Sequence, residues 1–123
     1  MKKRKRKDLE IRFYENIVKE RPNFVNVLIS LGDIYTRKGF YEEGLAVDKR
    51  LAKLLPDDPI INYNLACSFS LVGNLDDALV QLKKAVLLGY DDFNFINEDS
   101  DLTSLRKTHK FKLFYSKLKK LQS

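Results

Sequence analysis

The chain has 123 residues, 44% hydrophobic and 33% charged, with one cysteine. That composition suits one soluble globular domain. It excludes a disulfide framework and a cysteine-based zinc cluster, and no apolar run approaches the roughly 20 residues that cross a bilayer. The net charge of +6 comes from two short ends: residues 2–7 are all basic, residues 106–123 carry seven basic and no acidic residues, and the body between them has ten basic against seventeen acidic.

In chain order, residues 1–7 read as a basic, disordered tail, Lys2-Lys3-Arg4-Lys5-Arg6-Lys7. No apolar stretch and small-residue cleavage site follow, so a secretory signal is not expected. A reducing, cytoplasmic setting is the expectation for a chain with one cysteine. Residues 8–123 read as a single helical domain. The first helix spans Asp8 to Glu20 and carries Leu9, Phe13 and Ile17 on one stripe, with Tyr14 and Val18 beside it. Such a one-sided apolar face packs against a neighbour. Further helices are expected from Phe24 to Lys38, Tyr41 to Leu54, Ile60 to Leu71 and Leu75 to Leu88. No segment alternates with period two long enough to make a strand.

These helices come in pairs, because the sequence matches itself at a shift of 34. Leu31-Gly32 returns as Leu65-Ala66, Tyr35 as Phe69, Gly39 as Gly73, Tyr41 as Leu75, Gly44 as Ala78 and Leu51 as Ala85. Except for Leu51 and Ala85, small residues align with small ones and large with large. Pro22 and Pro56 keep the same spacing, each ending a charged amphipathic segment, as proline must. Gly39 and Gly73 fall between helical patterns, where a tight turn favours positive φ. Asn74, Asp76 and Asp77 supply acceptors and negative charge for a helix start.

This pattern resembles the tetratricopeptide repeat, whose 34 residues run Trp-x2-Leu-Gly-x2-Tyr, then Ala-x3-Phe, then Pro. The first copy reads Leu28-x2-Leu31-Gly32-x2-Tyr35, then Gly44, then Pro56; the second reads Asn62-x2-Leu65-Ala66-x2-Phe69, then Ala78-x3-Leu82, then Tyr90. The resemblance implies an all-α fold of antiparallel helix-turn-helix repeats stacked as a short right-handed solenoid. It divides the chain into a half repeat at 8–24, repeats at 25–58 and 59–92, and a C-terminal cap at 93–123. Asp48 and Asn62 stand where the family places large apolar side chains. Those two positions are expected to pack less tightly, or Asp48 to find a basic partner nearby, and Tyr90 in place of Pro marks an exit into something other than a third copy. In the cap, Leu102, Leu105, Phe111, Phe114, Tyr115, Leu118 and Leu121 give apolar stripes to cover the open end of the stack, with Lys117, Lys119 and Lys120 outward.

The resemblance also implies a concave groove lined by the first helix of each repeat. Leu28, Leu31, Gly32 and Tyr35 should pack between helices, leaving Asn26, Ile29, Asp33, Thr36 and Arg37 on another face. The second repeat offers Ile60, Tyr63, Asn64, Cys67, Ser70 and Leu71, with Ile29 and Tyr63 as apolar anchors. Ile29, Ile60 and Leu71 also fit simple burial against flanking helices. The family's chaperone-binding members clamp carboxylates with Lys, Asn and Arg on these helices. Asn64 fits that set, but Ile29 and Asp33 stand where Lys and Asn belong.

No catalytic set is legible, and no metal or cofactor is expected. His109 has no base or metal partner in sequence. Cys67 beside Ala66 and Phe69 reads as a buried, inert thiol. The acids at 57–58, 91–92 and 98–101 read as helix caps rather than a calcium loop. The resulting expectation is a non-enzymatic module that holds a protein or peptide. Self-association through the first helix, which lacks a repeat mate, stays open. The alternative is an accessory to nucleic acid or an anionic surface, using the basic ends. Nucleic acid is the disfavoured partner, because no aromatic interleaves the basic run.

Overall fold

A computed structural model describes residues 6–122; the greater part of the basic tail, residues 1–5, lies outside the described residues. Asp8 caps the first helix by accepting the Ile11 amide at 3.0 Å. Five long helices follow one another: α1 (Leu9–Glu20), α2 (Val25–Arg37), α3 (Tyr41–Leu54), α4 (Pro59–Leu71) and α5 (Leu75–Leu87). A short helix α6 (Phe93–Ile96), a 3-10 turn (Ser100–Leu102), α7 (Thr103–Arg106) and α8 (His109–Leu121) complete the chain. No strand occurs among the described residues. Each long helix packs on its successor, and α7 packs on α4, α5 and α8. The fold is an all-α stack of helical pairs.

The 34-residue period is visible in the backbone. Arg21 and Leu55, each before a proline, share φ −132° with ψ 78° and 66°, the extended geometry that proline imposes on its predecessor. Gly39 and Gly73 both have φ +84°. In each turn the residue after the glycine donates back into the preceding helix, Phe40 to Tyr35 O at 2.8 Å and Asn74 to Phe69 O at 2.9 Å, which closes that helix. Gly89 (φ +116°) ends α5 in the same way, with Tyr90 donating to Ala85 O at 2.9 Å. Beyond Tyr90 the pattern departs from a third copy, as its sequence suggests. Asn74 makes no side-chain cap on α5, so that helix start relies on the first-turn acids Asp76 and Asp77.

Small residues sit where helices cross. A side chain added at Gly32 would meet Val47 Cγ1 at 3.2 Å, and one at Gly44 would meet Thr36 Oγ1 at 3.0 Å. Ala66, Ala78 and Ala85 are fully buried around Leu82. Leu28, Leu51 and Ile61 join α2, α3 and α4 into one cluster. The cap continues the core, with Ile96, Leu102, Leu105, Phe111 and Leu118 buried in the cluster that holds α4 and α5. Lys117, Lys119 and Lys120 lie exposed on α8.

The structure corrects the reading of α1. Leu9 and Phe13 are exposed; the packed row is Ile11, Tyr14 and Val18, against Leu31, Ile34 and Tyr35. A polar contact fixes that rotation. Glu15 accepts from the Tyr35 hydroxyl and from Lys7 Nζ at 2.8 Å, so the face carrying Glu15 must turn inward. Burial opposes ionisation of Glu15, yet the Lys7 and Tyr35 hydrogen bonds outweigh it and hold the carboxyl below its usual range.

Asn62 is fully buried at the position the repeat assigns to a large apolar residue. Its amide donates to Pro56 O at 3.0 Å and Asp58 O at 2.8 Å. It therefore ties down the loop that launches α4, where Asp58 also caps the Ile60 and Ile61 amides.

Candidate functional site

One cavity of about 430 Å³ opens between α2, α4 and the α6–α7 region. Helical spacing on α2 brings Ile29, Asp33 and Thr36 to its wall, with Ser30 and Gly32 beside them. On α4 it brings Tyr63, Asn64, Cys67 and Ser68. Asp48 and Leu51 come from α3, and Phe95, Asp99 and Asp101 from the capping segment.

Six of the ten residues picked from sequence thus line one cavity: Ile29, Asp33, Thr36, Tyr63, Asn64 and Cys67. The other four do not line it. Asn26 is exposed near the start of α2, and Ile60 is exposed at the start of α4. Ser70 is buried, while exposed Arg37 borders the site through its 2.9 Å ion pair with Asp33. Asn64 is exposed, whereas Tyr63 is only 4% exposed. Its ring stacks on Tyr90 with centroids 4.1 Å apart, and its hydroxyl donates to Asp99 Oδ2 at 2.6 Å. Tyr63 is therefore a floor residue that positions Asp99. The exposed apolar residues at the rim are Ile29 and Phe95.

Asp48 is buried on the floor. The expected basic partner is replaced by the Ser68 hydroxyl, which donates to Oδ2. Burial pushes the Asp48 carboxyl up to about 6, and the Ser68 hydrogen bond only partly offsets this. Burial, and then the neighbouring Asp99, also raise Asp101. Arg106, near Asp99, donates from Nη1 to Ile96 O and Asp99 O and from Nη2 to the Thr103 hydroxyl.

Cys67, Asp99 and Asp101 place ligand-type atoms within 4.8 Å of one another. Both oxygens of Asp99 are already engaged: Oδ2 takes the Tyr63 hydroxyl and the Cys67 thiol, and Oδ1 takes the Asp101 amide at 3.0 Å. Burial, reinforced by Asp99 and Asp101, holds Cys67 as a thiol well above its usual pKa. A protonated thiol is neither a good nucleophile nor a good metal ligand. Among the other acids expected to cap helices, Asp58 and Asp92 do so.

The sequence pattern gave no signal for Phe95, Asp99 and Asp101 as wall residues, because they follow no repeat period. The one available clue was their place immediately after the second repeat.

No family model matches the chain. Among curated proteins it is similar to a chloroplastic protein of Arabidopsis thaliana, with 34% identity over 83 residues. That match covers 63% of this chain and 24% of that protein, so the chain spans about a quarter of the length of the curated relative it matches.

Proposed function

We propose that this chain is a non-catalytic, cytoplasmic interaction module of the tetratricopeptide kind, which seats a segment of another protein in the cavity between α2, α4 and the capping segment. One observation carries the reading. The first helices of two successive 34-residue units, with the cap behind them, contribute side chains to a single concave site. Concave sites of roughly 300–1,000 Å³ with a few converging polar groups are where ligands bind. The lining offers exposed Ile29 and Phe95 for apolar contact and Asn64 and Thr36 for hydrogen bonding. Burial holds the Cys67 thiol protonated, which disfavours it as a nucleophile.

The test is affinity capture from cells of the organism that encodes the chain, comparing the wild type with Ile29→Lys and Phe95→Lys. Both positions are exposed, so both variants should fold. A partner bound in the cavity is expected to be retained by the wild type and lost by both variants. Equal recovery on all three baits would place the binding surface elsewhere and defeat the proposal.

A further inference from the structure

We propose that the occupant of this cavity is a peptide segment presenting a lysine or arginine side chain, drawn into a ring of carboxylates. This rests on the reading of the chain as a peptide-binding module and adds the chemistry of the partner.

Four carboxylates line this cavity: Asp33, Asp48, Asp99 and Asp101. Asp33 alone has an ion-pair partner among the described residues, and that partner, Arg37, lies on the exposed side. Asp48 accepts from Ser68, and Asp99 from Tyr63, Cys67 and the Asp101 amide, while Arg106 reaches only the Asp99 carbonyl; none of Asp48, Asp99 and Asp101 has an ion pair among the described residues. Clustered like charges in a partly enclosed site raise one another's energy and focus a negative potential. A cationic group entering the cavity relieves that cost, and an anionic one adds to it.

The floor is shaped for such a group. Asp48 is only 8% exposed, and Ser68 occupies Oδ2. Its other oxygen, Oδ1, faces Gly32, where a side-chain carbon would stand 3.1 Å away. The missing side chain at Gly32 is what lets Asp48 and Val47 approach α2 this closely while Asp48 still lines the cavity. The rim is apolar, with Ile29 41% and Phe95 44% exposed. Lysine and arginine carry an apolar stem beneath a charged head, which matches an apolar rim over an acidic floor. The rim also separates a peptide from a free polyamine, since only the peptide brings flanking apolar side chains to cover Ile29 and Phe95.

The test uses three fluorescein-labelled dodecapeptides on one Leu/Ser/Gly framework, carrying Lys, Gln or Glu at the same three positions. Each is titrated by anisotropy against the full chain at 50 and 200 mM salt. The Lys peptide is expected to bind about tenfold or more tighter than the Gln peptide, to weaken as salt rises, and to outcompete spermidine. The Glu peptide should show no saturable binding. Two variants read the site: Asp101→Asn, which keeps the shape, and Asn64→Lys, at an exposed position that folding does not need. Each should weaken the Lys peptide about tenfold.

Tighter binding of the Gln or Glu peptide, abolished by Ile29→Lys, would overturn the cationic occupant and leave the interaction module standing. Lys-peptide binding unchanged by Asp101→Asn and Asn64→Lys would overturn it as well, since contact would lie outside the cavity. Spermidine competing as well as the peptide would overturn a peptide seat. A dimer in sedimentation that dissociates on Asn64→Lys would put a second copy's basic end there instead of a separate partner. Failure of the module itself reads differently: cellular partners indifferent to both Ile29→Lys and Phe95→Lys.

Discussion

Alanine at Phe111 will lower the free energy of unfolding by about 3–5 kcal/mol, the usual cost of deleting a buried phenylalanine. Phe111 is 2% exposed. It stacks on Tyr115 with centroids 5.7 Å apart and meets Phe114 edge-on at 6.5 Å. It lies in the same buried cluster as Leu82, Ala85 and Leu105, so its removal opens a hole where α8 meets the repeats. Domains are stable by only about 5–15 kcal/mol, so the variant should lose a large share of its margin. Urea denaturation read by circular dichroism measures this. Repeats and cap should unfold in one transition. A loss below about 1 kcal/mol would mean that α8 is an appendage and that the end of the stack is closed by something else.

Asparagine at Asp48 will make the protein more stable at neutral pH. In the folded chain the Asp48 carboxyl titrates at about 6, above its ordinary 3.8. Folding therefore favours the protonated form, and this contribution is fully present below about pH 4. It is lost as pH rises through 6, because the buried group must then carry charge. Two pKa units correspond to roughly 3 kcal/mol. Asp48→Asn keeps an oxygen to accept from Ser68 and removes the charge. Paired urea titrations should show the variant ahead by up to about 3 kcal/mol at pH 7.5, with the advantage closing near pH 4. A gap independent of pH would contradict the assignment. The same substitution should weaken the Lys peptide. The proposed site would thus hold a buried carboxylate without a counter-charge at a cost in stability, an exchange common at functional positions.

The helices were legible because punctuation and size recur together. Gly39 and Gly73 at identical φ, and Arg21 and Leu55 at matching extended geometry before proline, are local consequences of residue type. The rotation of α1 was not legible. Leu9-Phe13-Ile17 and Ile11-Tyr14-Val18 are both apolar rows at helical spacing, and the choice was made by Glu15 meeting Tyr35, twenty residues away. The cavity was half legible for the same reason. Ile29, Asp33 and Thr36 follow from the period of α2, but Phe95, Asp99 and Asp101 reach the site through the path of a non-repeating segment. Asp48 announced itself as an anomaly within the repeat, yet its partner proved to be a hydroxyl on α4 rather than a cation. Tyr63 shows the limit of reading aromatic residues as anchors: the stacking of Tyr90 over it depends on where α5 ends.

The most direct test of the central claim, that the cavity between α2, α4 and the cap is the binding surface, is amide-resolved NMR of the labelled chain titrated with the Lys peptide. The shifts should concentrate at residues 29–36, 63–68 and 95–101 and saturate together. Shifts gathered on α1 or on the outer face of α8, with those three segments unmoved, would contradict it.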